Sequence, residues 1–579
     1  MSEYTIKPHA AAGAKDVPIS DTGCAGVAVG ENRGQTPNSS SRKSGSVPSF
    51  AAASSDFAAV RARLLAGDEI ALIDVREEDP FAQSHPLWAA NFPLSRLELD
   101  AWTRLPRRDT WIVVYGEDDS GDLAPRAVAV LHALGYTQAR ALAGGLDGWI
   151  AAGGEVFRDV NVPSKAFGEL VQETRHTPSF SAREVKQLID ARANAVVLDA
   201  RRFDEYQTMS IPGATSVPGA ELVLRVRELA PDPTTQVIVN CAGRTRSIIG
   251  TQSLVNAGIP NPVAALRNGT IGWKLAGQQL AHGASLRAPA VGDATQRIAQ
   301  ADARRVADRA GVWRITPDRL DALVQPDRTL YRFDVRTPEE YAAGHLPGFA
   351  NAPGGQLVQE TDHVAPVRGA RIVLADDDGV RADMSASWLA QMGWEVYVLD
   401  AAPTHAFTET GARAMDAPTP PDVATIDPHD LHAWLLRADA SEVQVLDFSP
   451  SAVYVKGHVP GAWFAIRAQL AQALHARPRP RHYVFTCGSS LLARFAAADA
   501  ARLTDVPVRV LAGGTLAWIA AGLPVETGET GLASARTDRY RRPYEGTDAP
   551  ASAMQAYLDW EFGLVAQLGR DGTHGFKVI

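Results

Sequence analysis

VVLDAR (196–201) is a short aliphatic run that stops at an aspartate, and the same pattern occurs at ALIDVR (71–76), YRFDVR (331–336) and QVLDFS (444–449). The four aspartates, Asp74, Asp199, Asp334 and Asp447, are spaced 125, 135 and 113 residues apart. That period is too long for a stacked solenoid repeat and matches the size of a small globular domain. The chain of 579 residues divides by a typical ~150 into close to four such units.

Each unit repeats one order of elements. A short helix comes first, with start signals at Ser181 to Glu184 (a capping box), Thr316-Pro317 and Asp427-Pro428. The strand ending in aspartate follows. In three units a Pro-Gly turn comes next, IPGATSVP (211–218), LPGFANAP (346–353) and VPGAWFAI (459–466). A second apolar strand then appears in all four, TWIVVYG (110–116), TQVIVNC (235–241), ARIVLAD (370–376) and HYVFTC (482–487), each leading into a helix. LAGGLDGW (142–149), LRNGTIGW (266–273) and LAGGTLAW (511–518) close three units. Continuous β-branched runs alternating with helices imply buried parallel strands with right-handed crossovers, so each unit reads as a doubly wound α/β module. The boundaries expected are a flexible lead-in at 1–45, modules at 46–160, 170–290, 305–415 and 420–530, and a C-terminal helical tail at 531–579 with an apolar face for docking on a module or a partner.

Composition narrows the function classes. A hydrophobic fraction of 45% with 21% charged residues is that of folded globular protein. A net charge of -9 argues against a general nucleic-acid binder. No apolar run suits a membrane span and no secretory core opens the chain, so a reducing, cytoplasmic setting is expected. Three scattered cysteines, Cys24, Cys241 and Cys487, exclude a disulfide framework and a CxxC metal site. The Arg536, Arg539, Arg541 and Arg542 cluster is expected to be solvated.

Ligands of doubly wound sheets sit beyond the carboxyl ends of the strands. The segment that leaves the second module there is Cys-Ala-Gly-Arg-Thr-Arg-Ser (241–247). A tight loop entering a helix turns amides inward, and Arg244 and Arg246 add two charges. These features predict a depressed Cys241 pKa and a nucleophilic sulfur able to hold an anionic persulfide. The offset of 42 residues from Asp199 to Cys241 lands on Gly116 in the first module and Asp376 in the third, neither a thiol, so both are expected to be silent. In the fourth, an offset of 40 reaches Cys487 in Cys-Gly-Ser-Ser, a loop without arginine. Asp199 and Arg201 read as an ion pair at the strand end, with Arg201 also a candidate substrate contact, and Glu205 as a solvated helix position. Trp149, Trp273 and Trp518 recur at one place in active and silent units alike, which marks core packing.

The Asp-x-Arg strand, the Pro-Gly turn, the cysteine loop and the Gly-x-x-x-Trp ending resemble the rhodanese family of sulfurtransferases, over roughly 50–530. The resemblance implies a five-stranded parallel sheet flanked by helices in each of four tandem modules. It implies Cys241 as the sulfur acceptor, Ala242, Gly243, Arg244, Thr245 and Arg246 as the substrate cradle, and Ser247 at the helix start. Four residues separate Cys241 from Arg246; related phosphatases resemble a loop one residue longer, so the shorter loop favours sulfur over a phosphoryl group. The Cys487 loop is similar to that of mercaptopyruvate sulfurtransferases but departs at Ser490. The implied activity moves sulfane sulfur from a small anionic donor such as thiosulfate to a thiol or cyanide, with no cofactor, nucleic acid or membrane partner and with a homodimer as one possible assembly. The alternatives are mercaptopyruvate chemistry at Cys487, or a binding or redox-sensing scaffold.

Overall fold

The computed structural model describes residues 54–579 except 118–120, 401, 403, 414–417, 438–441 and 547; Cys24 and the lead-in at 1–45 lie outside the described residues. The chain forms two compact units, one holding the first three modules with the C-terminal segment and the other holding the fourth module.

The three modules of the larger unit share one sheet plan, in which five parallel strands lie in the spatial order first, fifth, fourth, second, third. In the second module these are Ser179–Phe180, Val263–Leu266, Gln236–Asn240, Ala195–Asp199 and Thr215–Ser216. The sequence dictates the layering. Val237 and Val239 pack on one face with Leu222, Val226 and Leu254 from the helices Leu222–Leu229 and Thr245–Ala257. Ile238 points to the opposite face with Val185, Tyr206 and Trp273. All three strand residues are fully buried, as a parallel sheet covered on both sides requires. Each large apolar side chain so buried contributes about 1.5–3 kcal/mol. Trp149 and Trp273 are buried as well, and each indole N–H donates to a carbonyl six residues on, Glu155 and Gln279.

Strand register fixes the equivalent positions. Asp199 lies opposite Asn240, Asp74 opposite Tyr115 and Asp334 opposite Ala375. The next residues, Cys241, Gly116 and Asp376, therefore leave their sheets at the same place. In all three modules the aspartate accepts from the guanidinium two residues on, as Arg76, Arg201 and Arg336.

Local start signals hold where the helix has something to pack on. Ser181 and Glu184 form a reciprocal capping box before Ala182–Asp190. Thr316-Pro317 instead opens a 3-10 segment, Pro317–Leu323, in which no residue is fully buried and only Leu320 and Leu323 pack against the core. The C-terminal segment forms two helices, Ala551–Phe562 and Leu564–Asp571. Met554, Tyr557 and Leu558 pack on Ile271 of the second module. Arg539 and Arg541 are exposed, as expected, while pairing with Glu545 and Asp548; Arg542 is largely covered and pairs with Glu78.

The fourth module repeats the plan, with Asp447 opposite Thr486 and Cys487 next in line. There Asp447 accepts from the Ser449 amide, because no arginine follows. Trp518 is buried in the same way as its two counterparts. Among the described residues, no helix is long and apolar enough to cross a membrane.

Candidate active site

Cys241 stands between the strand Gln236–Asn240 and the helix Thr245–Ala257, at the carboxyl edge of the sheet. The amides of Thr270 and Ile271 donate to the carbonyls of Cys241 (2.9 Å) and Ala242 (3.0 Å), which pins the first two peptide planes of the loop onto the next helix. That approach requires Gly269, whose φ is +54° and where a Cβ would lie 2.3 Å from the Cys241 carbonyl oxygen. The glycine that recurs at this place in the closing motif, as Gly145, Gly269 and Gly514, is the sequence signal for this contact. Thr245 is held from the other side, by a close approach of Gly168 on the helix Val162–Arg175.

The thiol is 2% exposed, and the expectation of a depressed pKa does not hold. Burial pushes the Cys241 thiol up, against the Arg246 guanidinium and the hydroxyl and amide of Ser247, which favour the anion. The loop charges are also shared rather than free. Arg244 makes a two-pronged pair with Glu169 (2.6 and 2.8 Å), donates to the Asn268 side chain and stacks over Phe562. Arg246 makes a two-pronged pair with Glu205 (3.0 and 2.7 Å). Glu205 is thus no solvated helix position: Arg246 outweighs the cost of burial and holds its carboxyl down at about 2. Arg201 is 1% exposed and its guanidinium is committed to Asp199 and the Met209 carbonyl, which gives it a structural task instead of a substrate contact. Ser247 lies in the first turn of the helix and donates to the Arg244 carbonyl. A cleft of about 460 Å³, including its open mouth, lies beside Arg246 and Thr245, with Gly354, Gln359 and Ser385 of the third module on its far wall.

The equivalent loop of the third module is occupied by its own side chain. Asp376 accepts from the amides of Gly379 (3.0 Å), Val380 (3.1 Å) and Ala382 (2.8 Å), and Asp378 from those of Val380 and Arg381. Burial and the neighbouring Asp378 raise the Asp376 carboxyl well above the usual range. Counting from the strand end, the three amides around Asp376 correspond to Arg244, Thr245 and Ser247 in the second module. The first module has Gly116 in this place.

In the fourth module the loop is Cys487-Gly488-Ser489-Ser490, and the Thr515 amide donates to the Cys487 carbonyl at 2.8 Å. Cys487 is 1% exposed. Ser490 adopts φ +73°, a left-handed conformation that favours glycine.

Two contributors could not be read from the loop itself. Glu169 belongs to the helix that leads into the second module, 75 residues before its partner. The tail supplies Tyr557 and Glu561, both buried and directly over Gly243: a Cβ there would meet Tyr557 Cε1 at 3.1 Å and Glu561 Oε2 at 3.4 Å. Beside them Lys165 pairs with Asp159 at 2.7 Å and faces the rings of Tyr544, Tyr557 and Trp560.

Comparison with known proteins agrees with this geometry. The Rhodanese-like domain family matches residues 58–152, 181–276, 316–402 and 429–521, together more than half of the chain. The crystal structure of a thiosulfate sulfurtransferase from Pseudomonas aeruginosa is similar at 66% identity, covering 91% of this chain and 100% of that one, with a TM-score of 0.89. A rhodanese-related protein from Thermoplasma volcanium is 19% identical over 18% of this chain and 97% of that one (TM-score 0.16). A protein of unknown function from Rhodopseudomonas palustris, described as a possible tyrosine phosphatase, is 28% identical over 18% and 85% (TM-score 0.16). No curated protein matches.

Proposed function

The chain belongs to the rhodanese family, and from that premise we propose that it is a sulfurtransferase in which Cys241 carries sulfane sulfur as a persulfide. Thiosulfate is the donor we propose, a small dianion that Arg246, which acts on the Cys241 sulfur even while paired with Glu205, would help to hold. Cys241 releases its proton to solvent, its thiolate attacks the outer sulfur of thiosulfate, and the S–S electron pair leaves with sulfite. The resulting Cys241 persulfide is then attacked at its outer sulfur by cyanide or a thiol, and the electron pair of that S–S bond returns to Cys241 Sγ. No further co-reactant is required.

One observation carries this reading. In the third module three loop amides converge on the carboxyl oxygens of Asp376, so this loop aims three N–H donors at one acceptor group. With the smaller Cys241 at the same register position, an extra anionic sulfur on Sγ would take the place of that carboxyl group. Arg246 stands five residues on, the place of Arg381 in the third module.

The reading is tested by thiocyanate formation from thiosulfate and cyanide. Cys241→Ser is expected to remove turnover by about a thousandfold or more, while Cys487→Ser retains it. The opposite pattern would move the chemistry to the fourth module, and loss of activity in neither variant would remove it from both loops.

A further inference from the structure

We propose that Glu561, on the C-terminal tail helix, is a catalytic residue of the Cys241 site that carries the proton when a thiol is the sulfur acceptor. The inference rests on the Cys241 reading and adds a group from outside the four modules. Glu561 is fully buried, which is rare for a carboxyl without an ion-pair partner. Its Oε1 accepts from the Tyr557 hydroxyl at 2.8 Å, while Oε2 is buried with no hydrogen-bond partner among the described residues. That unpartnered atom lies over Gly243, two residues from Cys241, where it would sit 3.4 Å from a Cβ. A buried acceptor left open in this way costs about 1–3 kcal/mol and calls for a partner that arrives with the substrate.

The groups facing Glu561 set its proton affinity. Tyr557 shares its helix, Glu169 and Lys165 face it from the helix Val162–Arg175, and Arg244 faces it from the loop. Burial and then Glu169 raise its carboxyl to about 8, against Lys165, Tyr557 and Arg244. A group of that strength exchanges protons readily with a thiol near neutral pH.

The step balances without another reagent. The carboxylate of Glu561 takes the proton of the incoming thiol as its sulfur bonds to the outer sulfur of the persulfide. The bond between that sulfur and Sγ breaks, its electron pair goes to Cys241, and Glu561 returns the proton to the Cys241 thiolate. An acceptor persulfide and the resting thiol result. Cyanide ion brings no proton and does not call on this group.

Single-turnover discharge of the full chain tests the proposal. The protein is loaded with thiosulfate, freed of excess donor, and discharged into glutathione or into cyanide. For Glu561→Gln the ratio of the glutathione rate to the cyanide rate is expected to fall about 100-fold, with partial recovery in Glu561→Asp. The rise of the glutathione rate through pH 8 should also lose the contribution of the carboxyl. An unchanged ratio, including one in which both rates fall together as packing damage would produce, overturns the proposal. Failure of the wild type to gain sulfur at Cys241 would overturn the underlying site reading instead, and the inference with it.

Discussion

The second and third modules carry the same loop in two chemical states. Both leave the sheet one residue after the partner of a strand-end aspartate, both place an arginine five residues on, and in both a glutamate 41 residues earlier clasps that arginine: Glu205 with Arg246, Glu340 with Arg381. They differ in what fills the nest. The third module closes three amides on its own Asp376 and adds Asp378 behind it. The second offers a thiol there, which the amide and hydroxyl of Ser247 face. On the proposed reading the third module displays the donor geometry of its neighbour: the loop aims amides at one acceptor group, and an aspartate fixed there turns a site into a structural joint.

This contrast can be broken from the silent side. Asp376→Ala removes the acceptor for three buried amides and should cost about 2–4 kcal/mol in chemical denaturation of the full chain, with sulfur transfer kept. A variant as stable as the wild type would show that the carboxylate is dispensable to the nest. On the working side, Arg246→Ala should raise the KM for thiosulfate about tenfold, and Glu205→Gln, which leaves the guanidinium uncompensated, should lower it by a smaller factor. Equal KM values in all three proteins would separate donor capture from this arginine.

A pH measurement sharpens the part played by the tail. The Glu561 carboxyl is raised from 4.5 to about 8 in the folded protein, so the folded state holds its proton more tightly than the unfolded chain. Stability is therefore lost as pH rises from about 4.5 through about 8. The melting temperature of the wild type should fall by a few degrees relative to Glu561→Gln between pH 5 and pH 9; parallel curves would contradict the shift. The smallest effect expected is in the fourth module. Ser490→Gly relieves a left-handed residue and should stabilise it by about 1 kcal/mol, and a loss of stability would mean that the serine side chain earns its place.

What the sequence discloses follows from periodicity. Val237, Ile238 and Val239 announce a strand buried on both faces, and repetition of the aspartate places Cys241, Gly116, Asp376 and Cys487 in register without any coordinates. The clasp of Arg246 by Glu205 escaped that reading, because two residues 41 apart in one module share no local pattern. Its recurrence as Glu340 and Arg381 was nonetheless visible within the chain. The thiol's raised pKa could not be read from the loop, since loop charges point the other way and the burial that decides the outcome is a property of the assembled fold. Glu561 was hidden for a simpler reason: the tail has no counterpart among the repeats against which to compare it.

The central claim is that the nest above Cys241 holds a transferable sulfur. Peptide mass spectrometry after incubation with thiosulfate tests it most directly. The account predicts one added sulfur atom on the peptide containing Cys241, lost again on exposure to cyanide. An unmodified Cys241 peptide, with sulfur found only at Cys487 or nowhere, would contradict it.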